Sequence, residues 1–155
     1  MYYYQITRTL TRQAPKGIVN VELIMTMTQD DRQKYRALYV QTAQGYTTDL
    51  HRNIALLLTN SEDQNALNVA HLAAHSLASQ SLMMNYHSLG ELSQLIEQLL
   101  QSAKDKESTL KNGVLLVIDN TLKQMVVSLY EIEKNDKEID LSGEVARLKE
   151  VAGVD

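Results

Sequence analysis

Residues 61–104, SEDQNALNVAHLAAHSLASQSLMMNYHSLGELSQLIEQLLQSAK, decide the fold, because they predict two amphipathic helices joined by a tight turn. In each helix, apolar residues recur at three- and four-residue steps, the spacing that places them on one face. Asn85 interrupts this pattern, and Asn tolerates the left-handed conformation that ends helices. We therefore predict helices over about 62–84 and 89–103, with a turn at 85–88.

Polar residues predict how the helices begin. Ser61 is the predicted N-cap of the earlier helix, because its hydroxyl can accept a hydrogen bond from a free backbone N–H. Ser88 and Glu91, three residues apart, have the spacing of a capping box for the later helix. Ser142 is predicted in the same way to cap a short helix near the end of the chain.

The same helical spacing extends outward from residues 61–104. It predicts long helices over about 30–59 and 110–134. Four long amphipathic helices with short connections predict an all-α, up-and-down four-helix bundle. The short helix that follows Ser142 is then a fifth, C-terminal helix packed on this bundle.

Residues 1–27 differ from the rest of the chain in composition. They are rich in β-branched and aromatic residues, with a turn signal at Pro15-Lys16-Gly17. This pattern is consistent with a β-hairpin and equally with an appended segment. We therefore divide the chain into an N-terminal extension, 1–27, and a helical bundle domain, 28–155.

The amino-acid composition excludes several classes of protein. A chain of 155 residues fits one domain, and 44% hydrophobic residues suffice for a core. The absence of Cys excludes a thiol nucleophile and a Cys-ligated metal site. A net charge of −4 disfavours nucleic acid as a partner. No apolar run reaches the roughly 20 residues of a membrane span, and no signal-peptide pattern opens the chain. We therefore expect a cytoplasmic protein without a membrane partner.

Two histidines four residues apart, His71 and His75, share one face of the helix over 62–84. If this helix and the next are antiparallel about Tyr86, residues whose numbers add up to 172 lie at the same height, which puts His75 level with Glu97. A carboxylate that accepts a hydrogen bond from Nδ1 fixes the tautomer and leaves the lone pair of Nε2 free. The spacing therefore predicts an oriented, nucleophilic imidazole.

Two other interpretations of these residues stay open. The histidines can be surface residues without a function, with a His–Glu pair worth about 1 kcal/mol or less. Alternatively, His71, His75 and Glu97 could ligate one metal ion, although no fourth ligand is evident. His87 and Glu91 cannot complete that site, because the hairpin separates His87 from His75 by roughly 16 Å along the helix axis. We expect neither a metal nor a cofactor.

Two segments of the chain resemble a known family. The run Ala74-His75-Ser76-Leu77, followed by Leu95-Ile96-Glu97-Gln98-Leu99-Leu100, is similar to the signature of the histidine phosphotransfer (HPt) domain that opens chemotaxis-type histidine kinases of the CheA group. The helices over 62–84 and 89–103 match the family's spacing without a gap, and the likeness covers about residues 30–153. The resemblance implies the same bundle that the periodicity predicts.

The resemblance implies His75 as the phosphoaccepting residue and Glu97 as the residue that orients it. His71, on the same face, is a supporting residue. Three further supporting positions depart from the family: Ala78 stands where the family has Lys, Ser79 where it has Gly, and Gln94 where it often has His. The first departure removes a cation near the incoming phosphoryl group.

The function implied by the resemblance is that of a histidine phosphotransfer module in two-component signalling, as used in chemotaxis, pilus motility and other outputs. The module accepts a phosphoryl group from the catalytic, ATP-binding domain of a histidine kinase and passes it to the aspartate of a response-regulator receiver domain. It has no nucleotide site of its own, and whether it belongs to a CheA-type kinase stays open. The alternative is a degenerate HPt-like bundle that acts only as a protein-interaction or dimerisation module, and a homodimer stays open too.

Overall fold

The computed structural model describes residues 28–106 and 110–155, and these residues are helical apart from short connections. The fold class predicted from the periodicity is confirmed, because the described residues contain five α-helices and no strand. The prediction for residues 1–27 lies outside the described residues. The helices are α1 (Gln29–Thr59), α2 (Gln64–Met83), α3 (His87–Lys104), α4 (Asn112–Asn135) and α5 (Ser142–Ala152).

The chain divides into two units, Met1–Tyr35 and Arg36–Asp155. In the first, only residues 28–35 are described. There Thr28 begins α1, because its Oγ1 accepts a hydrogen bond of 3.1 Å from the backbone N–H of Asp31. The bundle and the candidate site both lie in the second unit.

Apolar residues at helical spacing form the core of the unit Arg36–Asp155. The predicted inner faces of α2 and α4 are confirmed, since Leu77, Ile118 and Met125 are fully buried. In α1 the buried face begins at Tyr39, whereas the neighbouring Leu38, which the same periodicity places on that face, is exposed. Val40, on the other side of Tyr39, is buried instead, so the buried face of α1 is rotated away from Leu38.

The α2–α3 hairpin has the register that the sequence predicts. Asn85 adopts the left-handed conformation (φ 64°) and reverses the chain. One turn into α3, Gly90 lies against Leu82, and a Cβ atom at Gly90 would be only 2.6 Å from Leu82 Cδ2. The numbers of Leu82 and Gly90 add up to 172, as predicted for residues at the same height. Because Gly90 has no side chain, α2 and α3 approach each other closely at this point. This contact is consistent with the register in which residues whose numbers add up to 172 lie side by side.

The predicted helix caps are wrong in all three cases. Asp63, not Ser61, caps α2 by accepting a hydrogen bond from the backbone N–H of Ala66 (2.9 Å). The first turn of α5 is bound by Asp140, whose Oδ1 accepts from the backbone N–H of Ser142 (2.9 Å). Asp63 lies two positions after the predicted Ser61, and Asp140 lies two positions before the predicted Ser142. Sequence spacing locates helix boundaries no better than that.

The N-terminus of α3 is capped from a distant part of the chain rather than by a capping box of Ser88 and Glu91. Both oxygens of Glu138, in the α4–α5 connection, accept hydrogen bonds from the backbone N–H groups of Ser88 (3.0 Å) and Leu89 (2.9 Å). The Ser88 hydroxyl in turn accepts from the N–H of Leu141 (2.9 Å). A carboxylate at this end of a helix also interacts favourably with the helix dipole. The contact ties the connection before α5 to the hairpin.

A pair of stacked tyrosines joins α1 to the hairpin. The rings of Tyr39 and Tyr86 lie 5.1 Å apart, and burial raises the pKa of both phenols. Tyr39 donates to Oγ of Ser81 (2.8 Å), because that hydroxyl gives its own proton to a backbone carbonyl. Tyr86 donates to Asp136 (2.7 Å), which also pairs with Arg36 (3.0 Å).

The five described helices are each too short or too polar to cross a bilayer.

Candidate functional site

His75 and Glu97 meet across the α2–α3 hairpin. Nδ1 of His75 lies 2.8 Å from Oε1 of Glu97, so the contact predicted from the register is present. The His75 side chain is 56% exposed, whereas that of Glu97 is 23% exposed. The carboxylate is thus held between the helices while the imidazole stays accessible from outside.

The contact fixes the protonation pattern of the neutral His75 ring. An ionised carboxylate can only accept hydrogen bonds, so Nδ1 must carry the proton. Nε2 then keeps an unshared lone pair, and it faces away from Glu97 because the two nitrogens lie on different sides of the ring. The arrangement presents a nucleophilic nitrogen to a partner, and the carboxylate can stabilise positive charge that develops on the ring during attack.

The three positions that depart from the family signature differ in burial and in hydrogen bonding. Ser79 is exposed one turn after His75 and donates its hydroxyl proton to the His75 carbonyl oxygen (2.9 Å). Helical spacing puts Ala78 near the face that carries His75, but it is only 2% exposed and lies in the core instead. Gln94 is exposed on α3, one turn before Glu97. Within the described residues, no hydrogen bond joins Gln94 to the His75–Glu97 pair.

His71 lies one turn before His75, and the two rings are nearly parallel, with centroids 6.5 Å apart and an angle of 17°. Nδ1 of His71 accepts a hydrogen bond from Nζ of Lys104 (3.3 Å). Burial, followed by the nearby positive charge of Lys104, lowers the pKa of His71 below its usual value. His71 is therefore held in the neutral form beside His75.

Lys104 is a residue that sequence reasoning missed. The charged run at 104–107 predicts a solvated loop there, but Lys104 is the last residue of α3 and half-buried. Its four-carbon stem lets the ammonium reach back along the helix to the level of His71. Sequence spacing contains no signal for this contact, since Lys104 and His71 are 33 residues apart.

The described residues give no support to the metal-site alternative. Within residues 28–106 and 110–155, no three His, Asp or Glu side chains are arranged so that they could hold a metal ion. A physical reason is visible at His71, because the nitrogen that faces α3 accepts from the ammonium of Lys104. That nitrogen is therefore already engaged by a cationic side chain.

A second histidine–carboxylate pair, which sequence reasoning also missed, lies between α1 and α4. Nδ1 of His51 is 2.9 Å from Oδ1 of Asp119, and the side chains are 62% and 23% exposed. His51 shares a shallow groove with Thr47, Thr48 and Lys123. The pairing could not be derived as it was for His75, because α1 and α4 are not joined by a short turn that sets their register.

Together, the fold and this site define a helical bundle that holds an oriented, exposed imidazole on its surface. The family model of the Hpt domain matches residues 34–129, which is more than half of the chain, and the protein therefore belongs to the Hpt family. Membership implies a histidine phosphotransfer module of a phosphorelay, a class that works with kinases and receiver domains. Neither a curated protein nor a solved structure matched the chain.

Proposed function

We propose that His75 is the phosphoaccepting residue of this module and that Glu97 orients it. Nε2 of His75 attacks the γ-phosphorus of ATP held by a separate kinase domain, and the bond from that phosphorus to the bridging oxygen of ADP breaks. In the second step an aspartate oxygen of a receiver domain attacks the phosphorus, and the N–P bond breaks. The kinase domain that donates the phosphoryl group is of the CheA type, in line with the similarity around residues 74–77 and 95–100.

The observation that carries the proposal is the combination of exposure and orientation at one imidazole. A phosphoryl donor must bring phosphorus in line with the Nε2 lone pair, and the 56% exposure of His75 permits that approach. The Nδ1–H···Oε1 contact of 2.8 Å keeps the ring in the reactive tautomer and offsets the charge that the ring gains when Nε2 is phosphorylated.

The surroundings of His75 also favour a large partner. Ser76 and Ser79 have small side chains, so no bulky group next to the imidazole protrudes from the surface at these two positions. Leu72, one turn before His75, is exposed and can be covered by an apolar group of the partner. In-line attack by a receiver aspartate requires the two protein surfaces to approach within bonding distance of the same phosphorus, and small side chains next to the imidazole permit this.

Radioactive phosphoryl transfer tests the proposal directly. The protein is incubated with γ-labelled ATP and a chemotaxis-type kinase core, and then with a receiver domain. We expect an acid-labile, base-stable label on the wild-type protein, its disappearance when the receiver is added, and no label on His75→Gln. His51→Gln is the matched control, because it removes the other carboxylate-bound imidazole and should keep the label. A His75→Gln protein that is labelled like the wild type contradicts the proposal.

One departure from the family favours a second candidate function. Ala78, where the family has Lys, is a small and buried residue, so the usual cation is missing from this position. A degenerate bundle that only binds a kinase or a receiver would tolerate this loss. It predicts binding to a partner, measured by calorimetry, with no phosphate on His75 in the labelling experiment above.

A further inference from the structure

His71 and His75 are side by side, but their ring nitrogens have opposite partners. Nδ1 of His75 faces the carboxylate of Glu97, which only accepts hydrogen bonds. Nδ1 of His71 faces the ammonium of Lys104, which only donates. The two neutral rings therefore have opposite tautomers, with the proton on Nδ1 in His75 and on Nε2 in His71.

The geometry brings the two Nε2 atoms to the same side of α2. The rings are nearly parallel, at 17°, and both use Nδ1 to contact side chains of α3. In each ring Nε2 consequently faces away from α3. The nucleophilic lone pair of His75 and the Nε2–H donor of His71 thus both point away from α3, on rings whose centroids are 6.5 Å apart.

We propose that Nε2–H of His71 donates a hydrogen bond to an oxygen of the phosphoryl group carried on His75, and that Lys104 is the positioning residue that holds this tautomer. The proposal rests on the proposed function of His75. His71 forms no covalent bond and gives up no proton in this role. It stabilises the negative charge of the phosphoryl oxygens, while the N–P bond forms and breaks at His75 alone.

This arrangement compensates for the residue at position 78. A phosphoryl group needs donors or positive charge near its oxygens, and the family places a Lys there, whereas Ala78 is buried and has no polar atom in its side chain. His71 provides a neutral donor on the exposed side, and the Lys104 ammonium behind it adds a positive charge. The pair reaches the site from the opposite direction along α2, one turn before His75 rather than one turn after it.

A small phosphoryl donor tests the proposal without a kinase. Phosphoramidate transfers its phosphoryl group to Nε2 with loss of ammonia, and the product on each histidine is followed by mass spectrometry. We expect His71→Phe, which keeps a ring but has no donor, to slow labelling of His75 by roughly 2- to 10-fold, the usual worth of one hydrogen bond. His71→Gln, which keeps an N–H donor, should recover part of the rate. His51→Phe is the matched control and should leave the rate at His75 unchanged.

The role of Lys104 is tested by the tautomer of His71, which a purely structural role would not determine. Imidazole ¹⁵N–¹H NMR of the unphosphorylated protein at neutral pH should show Nε2–H in His71 and Nδ1–H in His75. Lys104→Met should give a mixture of His71 tautomers and slower labelling of His75, and Lys104→Arg, which also only donates, should restore both.

The outcomes separate this proposal from the one it rests on. If phosphoramidate and the kinase both leave wild-type His75 unlabelled, the phosphoacceptor role is wrong, and the role of His71 falls with it. If wild-type His75 is labelled and His71→Phe is labelled at the same rate, only the role of His71 is wrong. An Nδ1–H tautomer of His71 in the NMR spectrum overturns it as well.

Discussion

Two pairs in the unit Arg36–Asp155, His75–Glu97 and His51–Asp119, have nearly the same local geometry but different neighbours. The hydrogen bonds measure 2.8 and 2.9 Å, both carboxylates are equally sheltered, and both imidazoles are more than half exposed. Each carboxylate leaves Nε2 of its histidine bare. An oriented imidazole therefore occurs twice in this small bundle, and this feature alone does not identify a phosphoacceptor.

The difference lies in what surrounds each Nε2 atom. His75 has a second imidazole stacked beside it, and that ring is held by Lys104. His51 lies instead at a groove lined by the threonines at 47 and 48 and by Lys123. The comparison points to the second imidazole, rather than to the carboxylate, as the feature that sets the His75 pair apart from the His51 pair. The three predictions below test that conclusion, in order of decreasing effect.

Removing the charge of each carboxylate should affect the two pairs very differently. Glu97→Gln lets the ring of His75 adopt both tautomers, so we expect phosphoryl transfer from ATP to slow roughly 10-fold, as is typical when a residue that orients a histidine is lost. Asp119→Asn makes the same change at His51 and should leave the rate unaltered. Initial rates of labelling measure both effects. Equal rates for Glu97→Gln and the wild type would show that the tautomer does not matter.

Folding stability should not distinguish the two pairs. Both imidazoles are largely exposed, so each pair should contribute about 1 kcal/mol or less to the free energy of unfolding. Double-mutant cycles in urea measure the coupling, with His75→Gln and Glu97→Gln for one pair and His51→Gln and Asp119→Asn for the other. A coupling several times larger in the His75 pair would mean that Glu97 serves the fold rather than the chemistry.

The smallest expected effect is a pH dependence of stability that comes from His71. Burial, then Lys104 and to a smaller extent His75 lower its pKa in the folded protein, and the opposing effects of the Glu97 and Asp105 carboxylates do not cancel this. As the pH falls, the unfolded chain, in which His71 titrates near 6.5, takes up the proton first. The free energy of unfolding should therefore decrease as the pH falls below about 6.5 and through the lowered pKa.

Urea unfolding between neutral and mildly acidic pH measures this effect. His71→Gln should remove part of the decrease, and Lys104→Met a smaller part, because burial is the larger cause of the shift. His51→Gln, which leaves the surroundings of His71 intact, serves as the reference variant. A His71→Gln protein with the pH profile of the wild type would show that the ring is not held neutral by its surroundings.

The parts of the fold and site that could be predicted are those that depend on local spacing. The buried faces of α2 and α4 follow from apolar residues at helical steps, and the His75–Glu97 contact follows from one tight turn that sets the register. The contact could be predicted because the short turn between α2 and α3 allows these two helices few relative positions. His51 and Asp119, on helices without such a connection, were beyond this reasoning.

Other features were unpredictable because they depend on long side chains or distant segments. The cap that Glu138 forms on α3 spans about fifty residues, and no spacing near Ser88 indicates it. Lys104 was predicted in a loop because its neighbours are charged, yet its stem lies along the hairpin. The burial of Ala78 depends on a small rotation of α2 about its axis, which periodicity does not specify to the nearest residue.

By itself, the sequence determined five helices, the inner faces of α2 and α4, and the meeting of one histidine with one carboxylate. These follow from the period of the helix and from a single turn, which are local properties of the chain. Only the tertiary structure decided which charges lie next to that histidine and where a second, similar pair forms. Side-chain electrostatics act through space over a few ångströms, and the packing of helices, not their order in the chain, determines which groups come that close.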